Sequence, residues 1–512
     1  MKRFLLLLPA LAVLLTVNSC RKAVLQKPTS VAPVPHPAAL DAFIQEKVWE
    51  TGAFEWSWAD NDMIWTALGN SDHVLSVGYQ PAGEQNVAER LHQINIQDAV
   101  WQDARQQVLE LILSSEQRLN PELTLEQLFA FPENNVLPVF NVRVYNPETI
   151  ALLRASKYLR YAEPTGYEPF MKGTASRSGS GCDSNYGEPG LALGPDYSNE
   201  QPGCKASWNH PFHKVKDAWA QSDGSGATLL VIDTGCSDEQ ENLGEDLNQG
   251  YSSGRSIEKY VTLPQQTNFW GNPVGDPETP NDLCGHGTSM LGAAAAPRGT
   301  DGNSVGIAYN ANLISIRAAA DVYLDESREV VGVSNAFTFG GQNGAVRVIS
   351  ISMGRITSSS QIRDAIIYAH NNGKMIFAAA GTSYSWTAWF AGVIFPANQT
   401  QCIAVTGIRD NLTQKCGSCH VGSKVDFVLV MEKAGNGRTP LSLAQSGDVP
   451  STVGGSSVAT ASTAGIATLV FSKYPGWTRQ QVFDRMKTSA NYYPSRNSNF
   501  GWGRVDAKKA TL

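Results

Sequence analysis

Short uninterrupted apolar runs recur through the second half of the chain. Leu229-Leu230-Val231-Ile232 is the clearest, and Asp233 follows where the run stops. Four consecutive apolar residues of this kind predict a strand buried on both faces, as in a parallel sheet. Comparable runs predict strands at 227–233, 312–317, 346–352, 375–379, 402–406 and 425–430. Helical spacing of apolar positions fills the gaps, most clearly at 360–371, 457–471 and 479–489. Strands alternating with helices predict an α/β fold, a doubly wound and mostly parallel sheet, from about residue 208 to 512. The pattern upstream differs. Residues 72–79 alternate like a half-buried strand, 87–119 are mostly helical, and 137–145 read as a second strand. A short helix at 147–156 and a final strand at 158–164 complete a smaller α+β unit over 41–170.

Three short stretches carry candidate chemistry. Asp233 stands at the carboxyl end of a buried strand, the edge where ligands bind in open α/β sheets. Cys284-Gly285-His286-Gly287-Thr288-Ser289 places a histidine between two glycines before an alanine-rich helical run. Gly454-Gly455-Ser456-Ser457-Val458-Ala459 puts Ser457 at the start of a buried helix, where free N–H groups favour negative charge. Taken singly, these are a turn aspartate, a loop histidine and a capping serine. Taken together, in the order Asp, His, Ser, they match one known arrangement of the nucleophilic triad.

With those residues in view the chain resembles the subtilisin-like serine peptidases, the subtilases. Val231-Ile232-Asp233-Thr234-Gly235 resembles that family's Asp motif, Gly285 to Ser289 its His motif, and Gly455 to Ala459 its Ser motif. Ser352-Met353-Gly354 and Ala378-Ala379-Ala380-Gly381 resemble the two substrate-lining segments, and Phe395-Pro396-Ala397 and Gly501 to Asp506 later landmarks. The resemblance implies Ser457 as nucleophile, His286 as general base and Asp233 as its partner. It implies Ser352, Met353, Gly354, Ala379, Ala380 and Gly381 as substrate-binding residues whose backbone pairs with an extended peptide. It implies an oxyanion hole built from the Ser457 N–H and a side chain after Gly381. Here the chain departs from the family, which usually has Asn where this chain has Thr382. Loss of that Asn donor costs about 2.7–4 kcal/mol in subtilisin. Thr382 is a shorter donor, and Ser383 a neighbouring substitute.

The resemblance also colours the flanks. The final strand of the 41–170 unit, Tyr158 to Pro164, resembles the end of an inhibitory, folding-assisting prodomain, with an unrelated N-terminal binding domain as the alternative. Residues 171–207, rich in Gly, Ser and Asn, read as an exposed linker and processing region, with Phe170 or Met171 as a self-cleavage residue. Residues 1–20 read as a signal peptide: a basic start, then an apolar run too short for a stable membrane span. Its end, Val17-Asn18-Ser19-Cys20, resembles a bacterial lipoprotein box, so Cys20 is the expected lipidation site and 21–40 a proline-rich tether. The expected partners are a protein or peptide substrate, the chain's own prodomain, and a membrane reached through the lipid.

Composition narrows the rest. A net charge of −7 without a basic block argues against nucleic acid, and 42% hydrophobic residues suffice for sizeable cores. Of eight cysteines, Cys20 is absorbed by the lipid box. The other seven predict disulfides with one thiol left over, a Cys236–Cys284 bridge beside the triad being one option. Cys416-Gly417-Ser418-Cys419-His420 fits a disulfide loop, a zinc pair or a haem-attachment pattern. No cofactor is expected, and no metal site is readable, calcium included. Three functions remain open: an exported endopeptidase, an inactive surface binding protein, and a subtilase dedicated to processing one peptide.

Overall fold

The computed structural model describes residues 36–170, 182, 185–268, 272–383, 390 and 392–512. Cys20 with its leader, residues 21–35 of the expected tether, and Met171 lie outside the described residues; the last part of that tether is not solvated linker, since Ala38–Leu40 open the helix Ala38–Thr51 and Leu40 is buried.

The strands are numbered along the chain. β1 (Val74–Tyr79), β2 (Val139–Arg143) and β3 (Leu159–Pro164) form an antiparallel sheet in the order β2-β1-β3. β4 (Tyr197–Glu200) and β5 (Cys204–Ser207) form a hairpin. β6 (Thr228–Asp233), β7 (Ile257–Val261), β8 (Asn312–Arg317), β9 (Val346–Ile351), β10 (Met375–Ala379), β11 (Cys402–Arg409) and β12 (Val425–Glu432) make one parallel sheet, ordered β12-β11-β10-β9-β6-β8-β7. The apolar run of β6 explains its central place. Leu230 and Ile232 enter the core on one face, Leu229 and Val231 the core on the other. Helices Ser327–Gln342 and Ser360–Asn371 cover the first face, and helices His286–Ala295, Gly455–Lys473 and Arg479–Ser489 the second. The doubly wound α/β architecture is therefore present, with β7 an additional, half-exposed edge strand.

The N-terminal unit packs its sheet onto the two helices of the first face, and its core runs on into theirs. β1 is buried along its whole length rather than half-buried, because those helices cover the side that alternation assigns to solvent. Ser76, on that side, donates to Gln361 at 2.9 Å. The stretch 87–119 is two helices, Val87–Arg90 and Ala99–Glu116, separated by a turn.

Carboxylates of the N-terminal unit meet both helix starts. Glu163 accepts from the Ser360 N–H (2.8 Å) and hydroxyl (2.6 Å), and Asp72 from the Ser327 hydroxyl (2.8 Å). Negative charge at a helix N-terminus is favourable. Arg160 forks onto Asp364 at 2.7 and 3.0 Å.

The linker expectation for 171–207 needs correction. From Asn185 onward the chain is ordered against the large sheet's unit. The Gln445 N–H donates to the Asn185 carbonyl (2.8 Å), Arg438 pairs with Glu188 and with Asp196 (2.9 Å), and the β5 residue Lys205 bonds through its backbone to Asn303 and Val305. Ser198, Asn199 and Gln201 are exposed, but Asp196 and Glu200 are buried and hydrogen-bonded or ion-paired, so the segment is a packed hairpin and turn rather than a free linker.

Candidate active site

Asp233 ends β6, and His286 opens the helix that leaves the neighbouring loop. Two glycines permit this approach. A Cβ on Gly287 would collide with the backbone of Gly235, and Gly235 itself has φ +118°, a left-handed value that favours glycine. The Gly287 N–H then donates to Thr234 Oγ1 (2.9 Å). His286 Nδ1 lies 2.6 Å from Asp233 Oδ1, both side chains being buried. A carboxylate can only accept, so Nδ1 carries the proton and Nε2 is left as the basic nitrogen. Burial pulls the His286 pKa down, but the charge and hydrogen bond of Asp233, with Asp282 and Asp321 behind, outweigh it and raise the pKa above its ordinary value.

Asp282 was not among the residues that sequence reasoning singled out. Its carboxylate is fully buried and accepts five hydrogen bonds. Oδ1 takes the Thr234 hydroxyl (2.9 Å) and the N–H groups of Cys284 (3.0 Å) and Gly285 (2.8 Å); Oδ2 takes the N–H (2.8 Å) and hydroxyl (2.7 Å) of Thr288. It ties the Asp233 turn to the first turn of the His286 helix. An aspartate a few residues ahead of a helix start is a capping signal that the sequence did contain.

Ser457 lies in the first turn of the helix Gly455–Lys473, where backbone N–H groups lack intrahelical acceptors. Gly455, at φ +80°, makes the turn into it. The Ser457 hydroxyl donates to the Ser352 carbonyl at 3.4 Å, and the Ser352 hydroxyl returns a bond to the Ser457 carbonyl at 3.0 Å. The helices bearing His286 and Ser457 cross where Gly465 meets the carbonyl of Ala294, and each residue is equally distant in sequence from that crossing. Among the described residues Ser457 makes no hydrogen bond to His286. Such bonds are often unmade without substrate.

A small cavity opens beside Ser457. Ser352, Met353, Gly354, Ala379, Gly381 and Thr382 line it, together with Ser456, Ile356, Phe390, Ile394 and His420. Ala380 does not line it. It lies in the core, its N–H bonded to Val405 (2.8 Å) and its carbonyl to Ile394 (3.0 Å). The peptide-pairing edge at Gly354 is already occupied, since the Gly354 N–H donates to Val322 (3.1 Å) and the Leu324 N–H to Gly354 (3.0 Å). Phe170 faces a different cleft, between the N-terminal unit and the 325–328 segment.

The cysteines depart from expectation. Cys182 pairs with Cys284, not Cys236 with Cys284, and Cys416 pairs with Cys419. Three buried thiols remain rather than one, Cys204, Cys236 and Cys402; burial raises the first two to about 11 and about 12. The Cys416–Cys419 bridge consumes both sulfurs that a haem or zinc reading needs. His420 is equally engaged. Nδ1 donates to the Gly392 carbonyl (2.8 Å), so Nε2 accepts from the Ser383 hydroxyl (2.9 Å). Burial lowers the His420 pKa to about 4, which keeps it neutral.

The model of the subtilase family matches residues 224–503. The chain belongs to the subtilase family. Thermitase of Thermoactinomyces vulgaris is 29% identical over 297 residues, covering 58% of this chain and 92% of thermitase. Subtilisin Savinase of Lederbergia lenta is 28% identical over 291 residues, covering 56% and 91%. Among solved structures, MycP1 from Mycobacterium smegmatis aligns with a TM-score of 0.48 at 18% identity, covering 64% of this subtilase and 87% of that chain. The protein is thus a subtilisin-like serine peptidase, its substrates proteins or peptides. Its family match begins beyond the N-terminal unit.

Proposed function

We propose that this subtilase is an exported endopeptidase, made as a precursor, that cleaves peptide bonds through Asp233, His286 and Ser457. The observation that carries the reading is the buried 2.6 Å bond from His286 Nδ1 to Asp233, which leaves Nε2 as a base. Ser457 Oγ attacks the scissile carbonyl while its proton passes to Nε2. The imidazolium then gives that proton to the leaving amine, and an acyl-enzyme remains on Ser457. Water, deprotonated by the same nitrogen, releases the acid and restores the serine. The developing oxyanion is met by the Ser457 N–H and the Thr382 hydroxyl. Ser383 does not serve, because its only proton is directed at His420.

The N-terminal unit, residues 41–170, is the proposed inhibitory prodomain. Its carboxylates on two helix starts and the buried Glu168–Arg355 pair (2.9 Å) support that role. Its last residues run along Arg355 to Thr357, next to the cavity. The proposed leader ends at Cys20, which carries the lipid, so the anchor belongs to the prodomain. Cutting between Phe170 and Cys182 frees the peptidase unit; cutting after Cys182 leaves it disulfide-linked to the anchor. Among the described residues no helix is long and apolar enough to cross a membrane.

The test is labelling with a serine-directed fluorophosphonate, wild type beside Ser457→Ala, with N-terminal sequencing of the products. Labelling lost in the variant supports the reading. An unlabelled but folded wild type supports a surface binding protein instead. Labelling without turnover of casein or a mixed peptide library supports a dedicated processing enzyme.

A further inference from the structure

Thr382 stands where a longer donor is usual, which raises the question of what aims its single proton. Three hydroxyl-bearing or amide groups meet here. The Gly381 N–H donates to Ser456 Oγ at 3.3 Å, and Ser456 Oγ lies 3.1 Å from Thr382 Oγ1. Ser456 is buried, 1% exposed, whereas Thr382 is half-buried in the wall of the cavity that Ser457 shares. Gly455 has no Cβ to come between them; one built there would stand 3.2 Å from Thr382 Oγ1.

The direction of the hydroxyl–hydroxyl bond follows from burial. Ser456 already accepts from Gly381, and its own proton needs an acceptor. Among the described residues the only acceptor it reaches is Thr382 Oγ1. Were Thr382 the donor, a buried hydroxyl proton would go unsatisfied, at the cost of desolvating it for nothing. With Ser456 as donor, each group is satisfied and Thr382 keeps its proton for the cavity.

We propose that Ser456 is a positioning residue for the oxyanion donor, through a relay from the Gly381 N–H to the Ser456 hydroxyl to the Thr382 hydroxyl to the substrate oxygen. This rests on the reading of Thr382 as that donor. The relay does two things a lone threonine cannot. It fixes the Thr382 rotor so that its proton points into the cavity, and it polarises that O–H, since a hydroxyl that accepts a bond donates a stronger one. No proton is transferred along it; every O–H and N–H bond is kept. The segment is held from behind as well. The Ser383 N–H donates to the Ser418 carbonyl and the His420 N–H to the Gly381 carbonyl (2.8 and 2.9 Å), and His420 leaves no room for a side chain at Gly381.

The test is a double-mutant cycle on the purified protein, with a series of apolar tetrapeptide p-nitroanilides as substrates and the rate of fluorophosphonate labelling as a second readout. Thr382→Val is expected to lower kcat about 100-fold, in the range for loss of one oxyanion donor. Ser456→Ala is expected to lower kcat about 10-fold with KM unchanged. The double variant should be no slower than Thr382→Val alone, and Ser456→Thr should restore the wild-type kcat. Circular dichroism and melting controls identify any variant that misfolds, and Thr382→Ala, which also deletes the hydroxyl, replaces Thr382→Val in that case. Full kcat in Ser456→Ala, or losses that multiply in the double variant, overturns the relay. Full kcat in Thr382→Val overturns both the relay and the donor role of Thr382, while the peptidase reading stands as long as Ser457→Ala is inactive.

Discussion

Asp282→Asn is the substitution with the most calculable consequence. The aspartate holds five donors with two oxygens inside a fully buried site. Asparagine keeps one oxygen and replaces the other by an NH2 group, which must then face either the Thr288 pair or the Cys284, Gly285 and Thr234 trio. A hydroxyl can rotate to accept from the amide, but a backbone N–H cannot. At least one backbone donor is therefore orphaned, and the charge assistance on the others is lost. Hydrogen bonds to a charged group contribute about 1.5–3 kcal/mol each, so the expected loss is about 3–5 kcal/mol. At roughly 2–4 °C per kcal/mol for a large domain, Tm falls by about 6–20 °C. A second effect is electrostatic. Asp282 helps to raise the His286 pKa, so its neutralisation moves that pKa down. Scanning calorimetry reads the first effect, and the pH dependence of kcat/KM below the melting range reads the second. An unchanged Tm, or an unshifted acidic limb in a folded variant, would refute the account of Asp282 as the tie between the Asp233 turn and the His286 helix.

Four further outcomes are expected. In the wild type, kcat/KM rises with pH through a value above 6.5, since only neutral His286 can act as base and its pKa is raised; a limb below 6.5 contradicts this. The same shift makes the pair's contribution to stability full below about 6.5 and lost as pH rises through the raised pKa, which Tm against pH will show beside Asp233→Asn. Glu168→Ala leaves Arg355, 1% exposed, without its carboxylate and should cost about 3–5 kcal/mol, read as a lower Tm and faster loss of the N-terminal unit. If processing falls after Cys182, non-reducing gels should show one full-length band that reduction splits; if it falls before Cys182, both gels should show separated fragments.

The parts legible in advance were those where one local rule governs the outcome. β8 and β10 span 312–317 and 375–379, as their apolar patterns predict, because a strand buried on both faces is mostly apolar, Ser315 and Arg317 being the buried polar exceptions. β7 escaped notice because Ile257-Glu258-Lys259-Tyr260-Val261 sits at the sheet's edge, half-exposed, and so lacks the run. The misjudged side of β1 had a different cause: a second unit covers it, and no local pattern encodes that. The three motif residues could be named, but not Asp282, whose importance lies in five hydrogen bonds from four residues spread over two segments. Disulfide pairing was equally closed to inspection, since connectivity depends on which sulfurs the fold brings together. Here the fold brings Cys182 to Cys284 and leaves Cys236 buried alone.

The N-terminal unit and the cavity communicate through one short stretch. The hydroxyl of Tyr323 donates to Glu168, while Tyr323 also lines the cavity and its backbone neighbours Val322 and Leu324 hold the Gly354 edge. Glu168 accepts from the Ile356 and Thr357 N–H groups as well, at 2.8 and 3.0 Å, so both strands of the cavity's rim are bound to one carboxylate. Arg355 completes the knot with bonds to Glu168 and to the carbonyls of Thr165 and Tyr167, each 2.9 Å. On the proposed removal of this unit, the Arg355 guanidinium keeps, among the described residues, only the Thr357 hydroxyl as a partner (3.2 Å). Because that unit supplies most of its partners and part of its cover, the guanidinium is then solvated instead of being left as an unpaired interior charge. When the unit leaves, Tyr323, Ile356 and Thr357 lose that common carboxylate, and the Gly354 edge is tied to its neighbour only through the Val322 and Leu324 backbone bonds. Departure of the N-terminal unit thus does more than uncover a finished cleft. It changes the hydrogen bonds that define one.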